Sequence, residues 1–244
     1  MNILHCQSLK RTSEMTPATA LKVCSARQAN AAGYTGIQIV SADFLPHTRS
    51  WPAQANGTHF QFAICYGTHK NLDLLLAEVD AAHASGAKSV YCVSHPRVIE
   101  AIAVRNVPVF AHAGLVPQIC TGVGGLRAVG TTPIEAQRVR DTIRAFEEAG
   151  AVGAYLQLLP RELAAEITKT SPLITISVGS GGGCDVIWAH AEDVLGQNLS
   201  HVPRHAKVYA GPDRTTDADC FRAFRQEVEN QEYPSAVHEI RKMT

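Results

Sequence analysis

The chain has 244 residues, of which 45% are hydrophobic and 18% charged, with 22 basic side chains against 22 acidic ones. That balance excludes a disordered tail, and zero net charge without a dense Lys/Arg run leaves no electrostatic footprint for nucleic acid or an anionic membrane. No apolar stretch approaches the ~18 residues a spanning helix needs, and the segment from Met1 to Pro17 lacks a signal-peptide core, so a cytoplasmic location is expected. The seven cysteines are scattered, odd in number and never in a CxxC pair, which reads as reduced thiols rather than a disulfide framework or structural zinc.

In chain order, a weak strand candidate at Leu21–Cys24 precedes seven clearer β-type runs. These are Gly36–Val40, Phe60–Cys65, Ser89–Val93, Pro108–Ala111, Gly153–Leu158, Leu173–Val178 and Val186–Ala189, rich in Val, Ile and Phe. Amphipathic segments lie between them. The spacing of Leu72, Leu75, Leu76 and Val79 predicts a helix over Asn71–Ser85 stopped by Gly86, and Thr132-Pro133 opens another that Gly150 closes. Pro96–Val104 and Pro160–Thr170 complete the set. This alternation predicts parallel strands joined by crossover helices, either a closed (β/α)8 TIM barrel or a doubly wound open sheet. A single domain over 1–244 is expected, with 197–244 as a C-terminal extension packed on it and a helix near Asp217–Asn230.

In a barrel, chemistry gathers at the C-terminal strand ends. That rule selects Ser41 and Asp43 after the second strand, Cys65 and Tyr66 after the third, and Ser94 and His95 after the fourth. His112, Gln157, Ser180 and His190 follow at the later strands.

Two stretches are more specific: PVFAHAGLVPQ (108–118) and ITISVGSGGGCDVIWAHAEDVLG (174–196). Together they resemble the ketopantoate hydroxymethyltransferase family, TIM barrels related to phosphoenolpyruvate mutase and isocitrate lyase. Ser25–Gly33, Leu156–Pro160, Ala206–Tyr209 and Glu232–His238 extend the resemblance over nearly the whole chain. It implies transfer of a hydroxymethyl group from methylenetetrahydrofolate to the carbon beside a 2-oxo acid carbonyl, with magnesium polarising the oxo acid. It also implies a homo-oligomer. In the family two Asp side chains hold the metal, a Glu supports it and another Glu takes the proton.

Against that pattern the chain departs at each acid. A direct match of Val40-Ser41-Ala42-Asp43 puts Ala42 at the first metal position with Asp43 one residue along, and the second falls on Ala63. On the fourth strand Tyr91 and Val93 replace the family's Lys and Glu, and the base position is Gln157, an amide that cannot accept a proton at neutral pH. The stretch between Asp43 and Phe60 is also short, which implies a more open pocket or one closed by a neighbouring subunit.

Each candidate carries two readings. His112 either polarises a substrate oxygen or ties its turn to a backbone carbonyl. Gln157 orients a substrate or marks a dead site. Asp43 is at most one metal contact and otherwise a loop acid or cap, so no metal site is expected. His47, His59, His69 and His95 lack ligand spacing and read as loop histidines. The run from Gly179 and Ser180 to Gly183 either presents amides to an anionic substrate or forms a tight turn. Tyr66 and Gln118 complete the expected substrate-binding set.

The expectation is a divergent member of the family that makes or breaks a carbon–carbon bond on a small 2-oxo acid or related carbonyl compound, without authentic ketopantoate synthesis. The competing reading is a catalytically degenerate homologue that binds a ligand or serves in assembly.

Overall fold

The computed structural model describes residues 8–11, 15–64, 71–123, 125–198 and 201–240. Eight parallel strands pair in sequence order and close on themselves: β1 (Ala18–Lys22), β2 (Ile39–Asp43), β3 (His59–Ile64), β4 (Ser89–Cys92), β5 (Val109–Gly114), β6 (Gly153–Gln157), β7 (Ile174–Val178) and β8 (Val186–His190). β8 returns to β1 in a register running from Ala18↔Val186 to Lys22↔His190, which rules out the open sheet. Outside the strands lie α1 (Ala26–Tyr34), α2 (Trp51–Gln54), α3 (Leu72–Ala84), α4 (Pro96–Ala103), α5 (Pro133–Glu148), α6 (Arg161–Thr170) and α7 (Ala191–Val194), followed by α8 (Asp217–Glu229).

Local chemistry explains the helix starts. Asn71 accepts from the Asp73 amide at the head of α3, and Thr132 accepts from the Glu135 amide ahead of Pro133 in α5. Each side-chain oxygen satisfies an amide that the first turn leaves without an intrahelical partner.

The first two strands differ from expectation. β1 begins at Ala18 rather than Leu21, and β2 covers Ile39–Asp43 rather than Gly36–Val40. Gly36 has φ +77°, a left-handed conformation that suits the turn between α1 and β2 but not a strand. Ser41, Ala42 and Asp43 are not apolar enough to read as strand, yet they pair with Gln61, Phe62 and Ala63 of β3.

Strand pleating splits the core in two. Leu21, Val40, Phe62, Val90, Ala111 and Leu156 face the helices and pack with side chains such as Ile99, Ile143 and Phe146. Ala20, Ile39, Phe110, Tyr155, Ile176 and Val186 fill the barrel interior. Below the mouth that interior also holds a polar column: Tyr155 Oη donates to Gln61 Oε1 at 2.5 Å, Gln61 Nε2 donates to Ser89 Oγ at 3.0 Å, and His59 Nε2 lies 2.8 Å from the same oxygen. Buried polar groups that meet one another avoid the desolvation penalty of standing alone.

The C-terminal region is fastened to the barrel. α8 packs against α1 and β1 and buries Phe221, Phe224 and Val228, while the Tyr233 hydroxyl donates to the His205 carbonyl. Among the described residues no helix is long and apolar enough to cross a membrane.

Candidate active site

A cavity of about 450 Å³ opens at the C-terminal strand ends. Lys22, Ser41, Asp43, Ala63, Tyr91, His112, Tyr155, Gln157, Trp188 and His190 line it from the strands, and Gln118, Pro203 and His205 reach it from loops. The last two belong to the C-terminal region, so that region closes part of the mouth.

The pleat of β2 separates the residues of the motif match: Ala42 is buried in the outer core, whereas Ser41 and Asp43 on either side of it face the mouth. Asp43 is the acid that reaches the cavity from β2. Its Oδ1 lies 2.8 Å from Nζ of Lys22, with the two side chains 38% and 25% exposed. Lys22 ends β1 and stands between Ser41 of β2 and His190 of β8 in the ladder.

Across the mouth, Tyr91 Oη is 2.6 Å from Nδ1 of His112, and Nε2 of His112 is 2.6 Å from the Leu115 carbonyl. A carbonyl only accepts, so Nε2 carries the proton and Nδ1 accepts from the tyrosine. Burial holds the imidazole down at about 4 even though the Leu115 carbonyl favours its charged form. Burial, with Tyr155 nearby, pushes the Tyr91 hydroxyl well above its usual range. The pair is neutral at physiological pH. Both ring nitrogens are engaged, so the His112 ring lines the cavity while its hydrogen bonds hold Tyr91 and the Leu115 turn in place.

Gln157 closes β6 and faces the mouth. Leu158 follows with φ +52°, a left-handed conformation that costs about 1–3 kcal/mol and occurs mainly where surrounding structure enforces it. Here its N–H donates to the Val178 carbonyl and its carbonyl accepts from Val129. Gln118 stands exposed at the rim.

The glycine run lies apart from the cavity. Ser180 is fully buried, with its Oγ donating to the Leu156 carbonyl and accepting from the Leu159 amide. It ties the β6 and β7 loops together, so the expected substrate contact is replaced by a structural tie. Gly179 has φ +70°, and a Cβ there would meet the His205 ring at 2.8 Å. Its role is to admit His205 against the loop. Tyr66 lies outside the described residues.

Lys22, Trp188 and His205 are members of the site that strand-end spacing does not select, and Tyr91 is expected only as a replacement for a family lysine. A first strand read three residues early would have exposed Lys22.

The magnesium implied by the family does not fit these residues. Magnesium needs several oxygen ligands in octahedral array. Ala63 and Val93 offer none, Asp43 is paired with Lys22, and Asp193 is buried and accepts from Asn198 Nδ2.

A family model described as ketopantoate hydroxymethyltransferase matches residues 68–236. The 3-methyl-2-oxobutanoate hydroxymethyltransferase of Frankia alni is 35% identical over 159 residues, which cover 63% of this chain and 51% of that protein. The Thermus thermophilus enzyme of the same name is 29% identical over 211 residues, 83% of this chain and 78% of that one. The match to the Frankia protein thus spans about half of that relative's length. Among solved structures, an oxaloacetate acetylhydrolase superposes with a TM-score of 0.56 at 12% identity, covering 96% of this chain and 98% of its own. Phosphonopyruvate hydrolase reaches 0.56 at 13% identity over 80% and 83%. These two likenesses concern the barrel fold alone. The family match takes in β4 to β8, the His112 turn and the glycine loop, and it makes this chain a member of the ketopantoate hydroxymethyltransferase family.

Proposed function

We propose that the chain is a divergent family member that makes or breaks a carbon–carbon bond beside the carbonyl of a small 2-oxo acid, with a lysine–aspartate pair in place of magnesium and the family's Glu base. The observation that carries this reading is the 2.8 Å contact between Lys22 Nζ and Asp43 Oδ1 at adjacent strand ends facing the mouth.

A 2-oxo acid presents a carboxylate and a carbonyl oxygen on neighbouring carbons, and the Lys22 ammonium supplies a cation for them. As Asp43 takes the proton from the adjacent carbon, negative charge moves onto the carbonyl oxygen, where a fixed cation stabilises the enolate more than the ketone. The enolate carbon then attacks an electrophilic carbonyl carbon, forming the new bond, and the resulting alkoxide takes up a proton. The reverse sequence breaks the same bond. Tyr91, oriented by His112, and the Gln157 amide hydrogen-bond the substrate. The cavity lies toward the small end of the ~300–1,000 Å³ range of ligand sites, which suits a short oxo acid.

Proton abstraction is testable without knowing the second substrate. Incubated in D₂O with a panel of short 2-oxo acids, the protein should exchange the C3 hydrogens of at least one, seen by proton NMR, and Asp43→Asn should abolish the exchange. The lost family acids favour the alternative of a ligand-binding homologue without catalysis. Saturable binding of an oxo acid with no exchange across the panel would establish that alternative and overturn this one.

A further inference from the structure

Three metal-ligating side chains that the proposed reaction leaves unused converge beside the mouth. Cys24 follows β1, His190 ends β8 and Glu192 lies in α7; the β1–β8 pairing, with Lys22 opposite His190, brings these distant segments together. One ligating atom from each lies within 4.8 Å of the others. Nδ1 of His190 is buried with no hydrogen-bond partner, a state that buried polar atoms rarely keep. The Trp188 ring, 4.8 Å away edge-on, fixes the plane of that imidazole. Cys24 is exposed, so an ion can reach the cluster from solvent.

We propose that Cys24, His190 and Glu192 form a mononuclear site for a borderline-soft divalent cation, with zinc as the ion whose preferences match one sulfur, one imidazole nitrogen and one carboxylate oxygen. Hard cations such as magnesium and calcium favour all-oxygen sets and are disfavoured by the thiolate. Three protein ligands leave a tetrahedral ion one position for water or a substrate atom, the pattern of catalytic rather than structural zinc sites. Because His190 also lines the mouth, that ion sits at the cavity's edge.

On binding, the Cys24 S–H bond breaks, a sulfur–metal bond forms and the proton leaves to solvent.

The site does not depend on the reaction assigned to Lys22 and Asp43, and its test reads metal rather than turnover. Cobalt(II) titrated into the purified, metal-stripped chain should bind at one equivalent, with a thiolate-to-cobalt charge-transfer band and the intense visible bands of a tetrahedral ion, both bleached by zinc. Cys24→Ser should remove the charge-transfer band. Losing even an outer-shell partner costs ~10- to 100-fold in affinity, and Cys24→Ser, His190→Gln and Glu192→Gln should each weaken binding by at least that. Cys120→Ser is the thiol control and should change nothing, and far-ultraviolet circular dichroism confirms that each variant folds. A charge-transfer band that survives in folded Cys24→Ser, uptake well below one equivalent, or only the weak bands of octahedral cobalt would overturn the proposal.

Discussion

The Tyr91 hydroxyl donates to Nδ1 of His112 across 2.6 Å, joining the end of β4 to β5. Because the far nitrogen of the same ring is committed to Leu115, the histidine is a positioning residue for the tyrosine.

This arrangement predicts that the pair acts as a unit. Tyr91→Phe and His112→Asn should each slow C3 exchange of the responsive oxo acid by roughly 10-fold, the value of one oriented hydrogen bond near 1.4 kcal/mol. The double variant should be no slower than Tyr91→Phe alone, since groups acting through one another are not additive. Multiplicative losses would show that His112 contributes independently of Tyr91.

Lys22 is assigned a role as a cation rather than as a nucleophilic amine. Lys22→Met should lower exchange by roughly 10²- to 10³-fold, as loss of a positioned oxyanion partner does. Lys22→Arg keeps the charge and should retain measurable exchange. Complete loss in the arginine variant, together with borohydride trapping of substrate on the wild-type chain, would instead identify an imine mechanism.

Magnesium should show no specific binding in the millimolar range by calorimetry, since Asp43 is paired with Lys22 and Ala63 offers no ligand. Ketopantoate formation from ketoisovalerate and methylenetetrahydrofolate, with magnesium present, should be negligible. Robust turnover under those conditions would contradict the divergent reading.

Stability should fall on acidification through His112. The imidazole ordinarily titrates near 6.5 and is held at about 4 when folded. Between those values the unfolded chain binds a proton that the folded chain does not, so stability is complete above the upper value and declines toward the lower. At ~1.4 kcal/mol per pH unit the loss amounts to about 3 kcal/mol. His190, His205 and His238 are shifted the same way and add to the slope. Urea unfolding at neutral and acid pH should therefore show a steeper decline for wild type than for His112→Asn. Equal slopes would contradict a buried neutral ring.

Asp185 holds the N-terminal segment to the floor of the barrel. Its carboxylate is fully buried and accepts from Lys10 Nζ, the Arg11 amide and both the amide and hydroxyl of Thr175. Asp185→Ala would strand the Arg11 and Thr175 amides and should cost about 3 kcal/mol in chemical unfolding. A cost below 1 kcal/mol would mean that water replaces the lost partner.

The order of elements and the helix starts were legible in the sequence because they depend on contacts within a few residues. Asn71 and Thr132 cap their helices by bonding two or three residues ahead, and apolar periodicity marks Leu76 and Val79 as buried. The family motifs around His112 and the glycine loop are likewise contiguous. Barrel closure, the inward face of Asp43, the pairing of His112 with Tyr91 and the convergence of Lys22, Cys24, His190 and Glu192 were decided only by tertiary structure. Each depends on strand register: a one-residue change of face exchanges Ala42 for Asp43 at the mouth, and hydrogen bonds to β3 select between them. The pairing of β1 with β8 joins segments at opposite ends of the barrel sequence, a contact that no local pattern encodes, and it places the lysine beside His190.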